Sequence, residues 1–160
     1  MKKKLILLNS IAVILAFSAA FLFSAFQVQQ RYHEMFSQRV STALSVLSAE
    51  EDKILQNPQE IAQEVGKQLS ENGDEMRISI ISSDGQVLGD STQKEILENH
   101  ANRPEVKAAK EFGRGTDTRM SATVHQSYYY EAISLENGII LRAALPTTQI
   151  DQEVLGLWKT

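Results

Sequence analysis

The hydrophobic and polar positions divide the chain into one long apolar run and a mixed remainder. From Leu5 to Phe26 the strongly polar interruptions are one asparagine and three serines. A helix over this run is about 33 Å long at ~1.5 Å per residue. A bilayer core is about 30 Å thick, so we predict a transmembrane helix over Leu5–Phe26.

A cleaved signal peptide is the alternative for this run. Lysines precede it, as in a signal peptide, and Ser18-Ala19-Ala20 is a candidate cleavage site. Signal peptides have apolar cores of about 7–15 residues, whereas Phe21–Phe23 prolongs the run beyond that site. An uncleaved anchor is therefore favoured, with Lys2–Lys4 in the cytoplasm and the chain after Phe26 outside the cell membrane.

Beyond the anchor, residues 27–56 contain no glycine or proline, and apolar residues recur three or four positions apart. This period predicts an amphipathic helix that continues the anchor outside the membrane. Its apolar stripe either packs on its own domain or meets the same helix of a second subunit, because short heptad stretches are not decisive. The stripe comprises Val28, Tyr32, Met35, Phe36, Val40, Ala43, Leu44 and Leu47.

A second helix is predicted to start at Asn57-Pro58-Gln59-Glu60. This segment supplies an N-cap residue, a proline at the first helical position and an acid three residues after the cap. Ile61, Val65 and Leu69 mark the buried face of this helix, and Asn72-Gly73 its end.

Five strand-like runs follow, over residues 76–82, 86–89, 116–124, 127–135 and 138–145. Ser83-Asp84-Gly85 and Asn137-Gly138 predict hairpins between the first two and the last two runs. Short helices are predicted between the second and third runs, where Pro104 begins one helix and Gly113 ends it. The pattern predicts an α+β domain with a five-stranded antiparallel sheet, followed by a last helix that contains Trp158.

Composition narrows the class of protein. The 160 residues suffice for one ordinary domain, and 42% hydrophobic with 22% charged residues is typical of a globular chain. Three of the 16 basic residues are Lys2, Lys3 and Lys4, which leaves 13 against 20 acidic residues, a formal charge of −7 outside the membrane. This charge argues against nucleic acid as a partner. Since the chain has no cysteine, the exported domain depends on its packed core.

The sequence contains no recognisable catalytic or metal-binding motif. It has no cysteine or Gly-x-Ser-x-Gly turn for nucleophilic catalysis, and His33, His100 and His125 have no recognisable base-orienting partner. The spacing of the histidines does not match a zinc site. Gly113-Arg114-Gly115 is too short for a phosphate-binding loop and is interpreted as a helix stop followed by a turn. We therefore predict no enzyme activity, cofactor or metal for this chain.

The polar segment between the second and third runs holds candidate ligand-binding residues. Helix capping explains Asp90, Ser91 and Asn102 well, but it explains His100 and Arg103 less well. Each of the latter two side chains also fits a hydrogen bond to a loop carbonyl or to the sheet. The predicted ligand contacts in this segment are Asp90, Ser91, Asn99, His100 and Arg103.

The third to fifth runs add aromatic and basic candidates. Strand alternation places Tyr128 and Tyr130 on one face of the sheet and Tyr129 on the other. Strand arginines on a covered face, such as Arg119 and Arg142, require an anionic partner. That partner is either an internal acid such as Glu131 or a bound carboxylate or phosphate. The list of predicted ligand contacts is completed by Arg119, Tyr128 and Tyr130.

The segments RISIISSDGQVLGDS, ENHANRPEVKAA and GRGTDTRMSAT, followed by YYYEAI, resemble extracytoplasmic PAS-like (Cache-type) sensor domains. These domains belong to Gram-positive sensor histidine kinases of the PhoR-like, phosphate-regulon group. The resemblance covers residues 1–160, and its most specific part is Glu98–Val106. It implies a transmembrane helix that leads into a long extracellular helix, then a five-stranded antiparallel sheet and a last helix toward a second membrane span.

The resemblance further implies the sensor part of a membrane-bound, dimeric two-component receptor. The resemblance does not specify a ligand, because PAS-like domains of this group differ in whether they have a small-molecule pocket, and a small anionic or cell-envelope ligand stays open. Because the sequence has no phospho-acceptor box or ATP motif, a cytoplasmic response regulator is reached only through a missing kinase region, and the chain is interpreted as a fragment. The implied division is 1–4 cytoplasmic, 5–26 transmembrane, 27–56 long extracellular helix, 57–146 PAS-like domain and 147–160 C-terminal helix.

Signalling is expected to shift the long first helix against the last helix by about 1–2 Å. Two other functions stay open. One is an anchored or secreted ligand-binding module without kinase output. The other is a pilin-like structural subunit, although Leu5–Phe26 lacks the early glutamate expected of a pilin.

Overall fold

The computed structural model describes residues 2–70, 75–92, 99–120 and 127–147, apart from the side chains of Lys2, Leu5, Leu8 and Tyr32. Contacts divide the chain into two units, Met1–Met35 and Phe36–Thr160. The helices of the described ranges are α1 (Lys2–Ser48), α2 (Glu51–Gln56), α3 (Pro58–Leu69) and α4 (Pro104–Phe112). The strands are β1 (Arg77–Ile81), β2 (Val87–Asp90), β3 (Arg114–Met120), β4 (Ser127–Ser134) and β5 (Ile140–Pro146).

The first unit consists of the N-terminal part of α1, as the long apolar run predicts. Between Asn9 and Ser48 this helix contains an 18-residue window with a mean hydropathy of 2.2. By length and composition α1 is therefore suited to cross a membrane. A signal sequence near an N-terminus has the same properties, so the choice between the two stays a prediction.

The second unit is built on the predicted five-stranded antiparallel sheet, with the strand order β2-β1-β5-β4-β3. Both predicted hairpins are confirmed, since β1 pairs with β2 and β4 with β5. Gly85 and Gly138 in their turns have φ of 93° and 83°, a region that glycine enters without steric cost. The sheet is therefore organised around β5, the last strand in sequence.

Helices cover both faces of the sheet. On one face, Ser41 of α1 bonds Glu131 of β4, and a Cβ at Gly89 of β2 would collide with the Pro58 carbonyl of α3. On the other face, α4 packs against β3 and β4. Because both faces are covered, β5 is buried along its whole length. The core on the α4 side consists of Ile81, Val87, Val106, Ala109, Ala132 and Ile140.

The apolar stripe of α1 packs within its own domain from Phe36 onward. The buried side chains are Phe36, Val40, Ala43, Leu44 and Leu47. Each fully buried leucine contributes about 1.5–3 kcal/mol relative to an exposed one. Of the two alternatives for the stripe, packing on its own domain is thus observed for this part. Met35, by contrast, is 45% exposed.

The predicted helix over residues 27–56 is divided at Ala49–Glu50. The Glu50 amide donates to the Leu47 carbonyl instead of the Val46 carbonyl. The Glu50 carbonyl accepts the first helical hydrogen bond of α2, from the Ile54 amide. Acidic residues disfavour a helix C-terminus and favour an N-terminus, so Glu51 and its neighbours fit the start of α2. This bend lets Ile54 become buried.

The start of α3 at Pro58 and the position of Asn57 as its N-cap residue are as predicted, but the side-chain cap hydrogen bond is not formed. The Asn57 side chain makes no bond to the helix backbone and instead donates to the Glu60 carboxylate at 2.5 Å. The helix ends at Leu69, before the predicted Asn72-Gly73. The predicted last helix and the predicted short helix around Ile96 lie outside the described residues.

Candidate functional site

A set of polar side chains lines the face of the sheet that α4 covers, and we call it the charged face. Strand alternation and register bring the set together. Ser79 lies opposite both Asp90 and Arg142, and Arg119 lies opposite Tyr128. All five strands contribute. The charged face comprises Arg77, Ser79, Asp90, Asp117, Arg119, Tyr128, Tyr130 and Arg142.

One end of the charged face is an ion pair between β1 and β2. Nε and Nη2 of Arg77 each lie 3.1 Å from Oδ2 of Asp90, and Ser79 Oγ donates to the same oxygen at 2.8 Å. Oδ1 of Asp90 accepts from the amide and the hydroxyl of Thr92 at 3.0 and 2.8 Å. Burial by itself raises the pKa of Asp90, but Arg77 and these hydrogen bonds hold it below its usual value. The buried carboxylate is therefore ionised at neutral pH.

Arg142 occupies the centre of the charged face and is 3% exposed. Its Nη2 donates to Ser79 Oγ at 2.9 Å, and its Nη1 lies 3.4 Å from Oε1 of Glu105. Burial lowers the pKa of Arg142 to about 10. Arg142 still carries a positive charge at neutral pH, and Ser79 links it to Asp90.

Glu105 of α4 connects Arg142 to Arg119 and is fully buried. Its Oε2 lies 2.6 Å from Nη1 of Arg119 and its Oε1 lies 2.9 Å from Nη2, a bidentate arrangement. Nη1 of Arg119 also donates to Asp117. Burial by itself raises the pKa of Glu105, but Arg119 and Arg142 hold it below its usual value. Burial by itself lowers the pKa of Arg119, but the Glu105 and Asp117 carboxylates hold it above its usual value.

Tyr130 lies beneath both guanidinium groups. The Arg119 Cζ is 4.0 Å and the Arg142 Cζ 5.5 Å from its ring centroid, distances at which cation–π attraction applies. The Tyr128 ring follows at 5.9 Å, tilted by 36°. Burial raises the pKa of Tyr128, so its hydroxyl is protonated at neutral pH. The Tyr130 ring thus packs against both guanidinium groups.

Four of the predicted ligand contacts lie together on the charged face: Asp90, Arg119, Tyr128 and Tyr130. The other four, Ser91, Asn99, His100 and Arg103, lie outside the five strands that form it. The Ser91 hydroxyl accepts from the Ile78 amide at 2.9 Å and supports the β1–β2 pairing.

Asn99, His100 and Arg103 lie in the loop before α4. The Asn99 side chain bonds the Asp84 carbonyl at 3.2 Å and the Ala101 amide at 2.8 Å. The His100 amide donates to the Gly85 carbonyl at 2.7 Å, and the ring is buried. Arg103 is the N-cap residue of α4, the position predicted for Asn102, and its side chain forms no cap hydrogen bond. The bonds of Asn99 to Asp84 and of His100 to Gly85 hold the loop onto the β1–β2 turn.

The sequence interpretation missed the partner of the strand arginines. Glu131, which it named as a candidate, lies on the opposite face of the sheet. There Glu131 accepts hydrogen bonds from Ser41 at 3.1 Å and from Tyr129 at 3.4 Å, and it pairs with Arg114. Arg142 lies opposite Ala132 and shares its face of the sheet. Glu131 is the neighbour of Ala132 in β4 and lies on the other face, so it is excluded as the partner of Arg142. The partner is Glu105, which the sequence placed only in the first turn of a helix.

Arg77, Ser79 and Asp117 were also missed. Arg77 and Ser79 alternate with isoleucines in β1, which is a visible signal, whereas Asp117 lies between two threonines in β3. A metal centre has no support in the described ranges. Among these residues no three histidine or acidic side chains are grouped to hold a metal ion.

No family model and no curated protein sequence matches the chain. Among solved structures, it is similar to the YkuI protein of Bacillus subtilis, which has an EAL domain and was solved with c-di-GMP and calcium. The TM-score is 0.58 and the identity 12%, over 79% of this chain and 35% of that one. At this identity the similarity concerns the fold alone.

Two further structures are similar at lower scores. The sensor domain of the histidine kinase DctB from V. cholerae gives a TM-score of 0.45 and 18% identity, over 69% of this chain and 43% of that one. The extracellular domain of the histidine kinase candidate rpHK1S-Z16 gives 0.41 and 17%, over 47% and 32%. The chain therefore spans less than half the length of each structure, and these two scores are too low to support a functional conclusion.

Proposed function

We propose that the chain is the extracellular input region of a membrane-bound two-component sensor histidine kinase, with a PAS-like sensory domain behind a transmembrane anchor. One observation carries the proposal. The helix α1 is apolar enough near its N-terminus to cross a membrane, and its apolar side chains between Phe36 and Leu47 are buried in the second unit. An element that joins a membrane span to a folded domain is what a transmembrane receptor requires.

The charged face is the proposed ligand site. It presents two guanidinium groups next to tyrosine rings, a combination that recognises small anions or polar cell-envelope groups. Asn99, His100 and Arg103 are the proposed contacts at its loop edge, because the loop leads directly into α4. A ligand shifts the domain only if it binds one arrangement more tightly than the other.

The relay is proposed to run through α1. Ser41 of α1 bonds the buried Glu131 carboxylate at 3.1 and 3.3 Å, and Glu131 belongs to the strand that also carries Tyr130. Rearrangement on the charged face therefore has a direct route through β4 to α1. A displacement of α1 by about 1–2 Å is the proposed output.

A homodimer through α1 completes the proposal. Val28, Met35 and Val46 are 41%, 45% and 40% exposed, and they recur at spacings close to those of a helix–helix seam. The partner in the cytoplasm is proposed to be a response regulator, reached through the kinase region of the same receptor.

The test is the coding sequence downstream of Thr160. We expect a second apolar span of about 20 residues, followed by a phospho-accepting histidine and a glycine-rich ATP site. A stop codon directly after Thr160 would contradict the kinase output. It would leave an anchored or secreted ligand-binding module in its place.

A further inference from the structure

The carboxylate of Glu105 occupies a position built by two strands rather than by its own helix. Arg119 of β3 approaches it bidentately at 2.6 and 2.9 Å, and Nη1 of Arg142 of β5 lies 3.4 Å from Oε1, which Nη2 of Arg119 also contacts. Glu105 is fully buried, so water does not compete for these donors. Two convergent guanidinium groups are an arrangement with which proteins recognise carboxylates.

Both guanidinium groups are held by contacts other than Glu105. Arg119 also pairs with Asp117, and Arg142 donates to Ser79 Oγ at 2.9 Å. The Tyr130 ring lies 4.0 and 5.5 Å from their Cζ atoms. These partners all belong to strands of the sheet, so they support the two arginines in addition to the contacts from α4. The receptor half of the arrangement is therefore preorganised.

The charges on the charged face balance only when Glu105 is in place. Arg77, Arg119 and Arg142 supply three positive charges, and Asp90 and Asp117 supply two negative charges. Glu105 adds the third negative charge from α4. Removing it leaves one uncompensated guanidinium charge in a buried site, which is strongly unfavourable. An anion of the same shape would restore the charge balance.

We infer that Arg119, Arg142 and Tyr130 form a carboxylate-binding site that Glu105 occupies as an internal ligand. A small free carboxylate binds there when the Glu105 side chain is absent or displaced. This inference deepens the ligand site of the proposed function and rests on it only for the role of such a ligand in signalling. An external carboxylate and α4 compete for the same two arginines, so binding releases the first turn of α4.

The experiment restores the missing group from solution. Glu105→Ala deletes one CH₂ and one carboxylate, which together have the size of acetate. The full chain in detergent micelles is unfolded by heat in sodium acetate, in sodium chloride of equal ionic strength and in acetamide, the neutral isostere. We expect Glu105→Ala to lower the melting temperature on the order of 10 °C, as for a broken buried pair. Acetate should recover part of this loss saturably, whereas chloride and acetamide should not.

Glu111→Ala is the matched control, because Glu111 lies exposed on the same helix. Neither this variant nor the wild type should respond to acetate more than to chloride. If Glu105→Ala is unfolded without additive, recovery of its folded circular dichroism spectrum in acetate alone supports the site. The inferred site would be overturned if acetate and chloride raised the melting temperature of Glu105→Ala equally. It would also be overturned if acetate raised that of the wild type as much as that of Glu105→Ala.

A second variant separates a specific site from general charge balance. Arg119→Lys combined with Glu105→Ala keeps the positive charge but removes the bidentate fork. We expect acetate recovery to fall several-fold in this double variant, and unchanged recovery would overturn the assignment of Arg119. The proposed function is tested by the coding sequence downstream of Thr160, and that test does not depend on the acetate experiments. Failure of this inference is therefore distinguishable from failure of the proposed function.

Discussion

Asp90 illustrates how a buried charge is kept ionised on this sheet. It is 1% exposed, and Arg77, Ser79 and Thr92 all direct donors at its carboxylate. Its pKa in the folded chain lies below the ordinary value of 3.8. A lowered pKa contributes stability above the ordinary value, and that stability is lost as the pH falls through the folded pKa. The pair therefore stabilises the domain at neutral pH and ceases to do so in acid.

Replacing Asp90 by asparagine tests this dependence. We expect Asp90→Asn to lower the free energy of unfolding by about 3–5 kcal/mol at pH 7, since it leaves Arg77 without its buried partner. The difference from wild type should shrink below about pH 4, because the Asp90 carboxylate of the unfolded wild-type chain takes up its proton at a higher pH than that of the folded chain. Urea titrations from pH 7 to pH 3 measure both quantities.

The control for this series is Asp52→Asn, at an exposed aspartate of α2. It should change the free energy of unfolding at pH 7 by no more than about 0.5 kcal/mol. A deficit of Asp90→Asn that stays constant down to pH 3 would contradict the proposed ionisation.

At the scale of single residues, the sequence predicted which side chains share a face of one strand, but not which side chains of other elements they contact. Alternation placed Tyr128 and Tyr130 on one face, and burial physics required an anion for Arg142. The identity of that anion depends on which helix covers the face. Glu105 lies 37 residues from Arg142, and Ser79 lies 63 residues away. Sequence alone carries no information on register between such distant segments.

Among the elements, α1 has two distinct surfaces from Phe36 onward. One is buried on the sheet, and the other exposes Val46 at 40%. A single thiol reports on this exposed surface, because the chain has no cysteine of its own. We expect Val46→Cys in membranes to form disulfide-linked dimers under mild oxidation, since a parallel helix pair brings equivalent positions within about 4.4–6.8 Å between Cα atoms.

Ser45→Cys is the matched control for the dimer. Ser45 is also exposed but points about 100° away around the helix. Cross-linking should be several-fold stronger at position 46 than at position 45. Equal yields at both positions, or none at either, would contradict a dimer through α1.

Element boundaries were predictable where turn chemistry is local. Gly85, Gly138 and Pro58 marked two hairpins and one helix start correctly. The break at Ala49–Glu50 was missed because no glycine or proline announces it. It arises where α1 leaves the sheet and Ile54 turns into the core, which is a tertiary effect.

On the scale of the whole molecule, a single antiparallel sheet separates two polar systems. Glu131 with Ser41 lies on the face of α1, and Glu105 with Arg119 and Arg142 lies on the face of α4. The order of helices and strands along the described part of the chain largely followed from the hydrophobic period of the sequence. The two polar systems did not, because each joins elements that are far apart in the chain.

The proposed receptor role requires the sheet domain outside the cell and the N-terminus inside. Two single-cysteine variants measure this placement. Phe112→Cys replaces a side chain that is 74% exposed, and Lys3→Cys replaces an exposed side chain at the N-terminus. They are treated with a membrane-impermeant maleimide. In intact cells we expect labelling of Phe112→Cys only, with Lys3→Cys reacting after permeabilisation and both proteins in the membrane fraction. Labelling of Phe112→Cys only after permeabilisation, or its recovery in the medium without the apolar N-terminal segment, would contradict this placement.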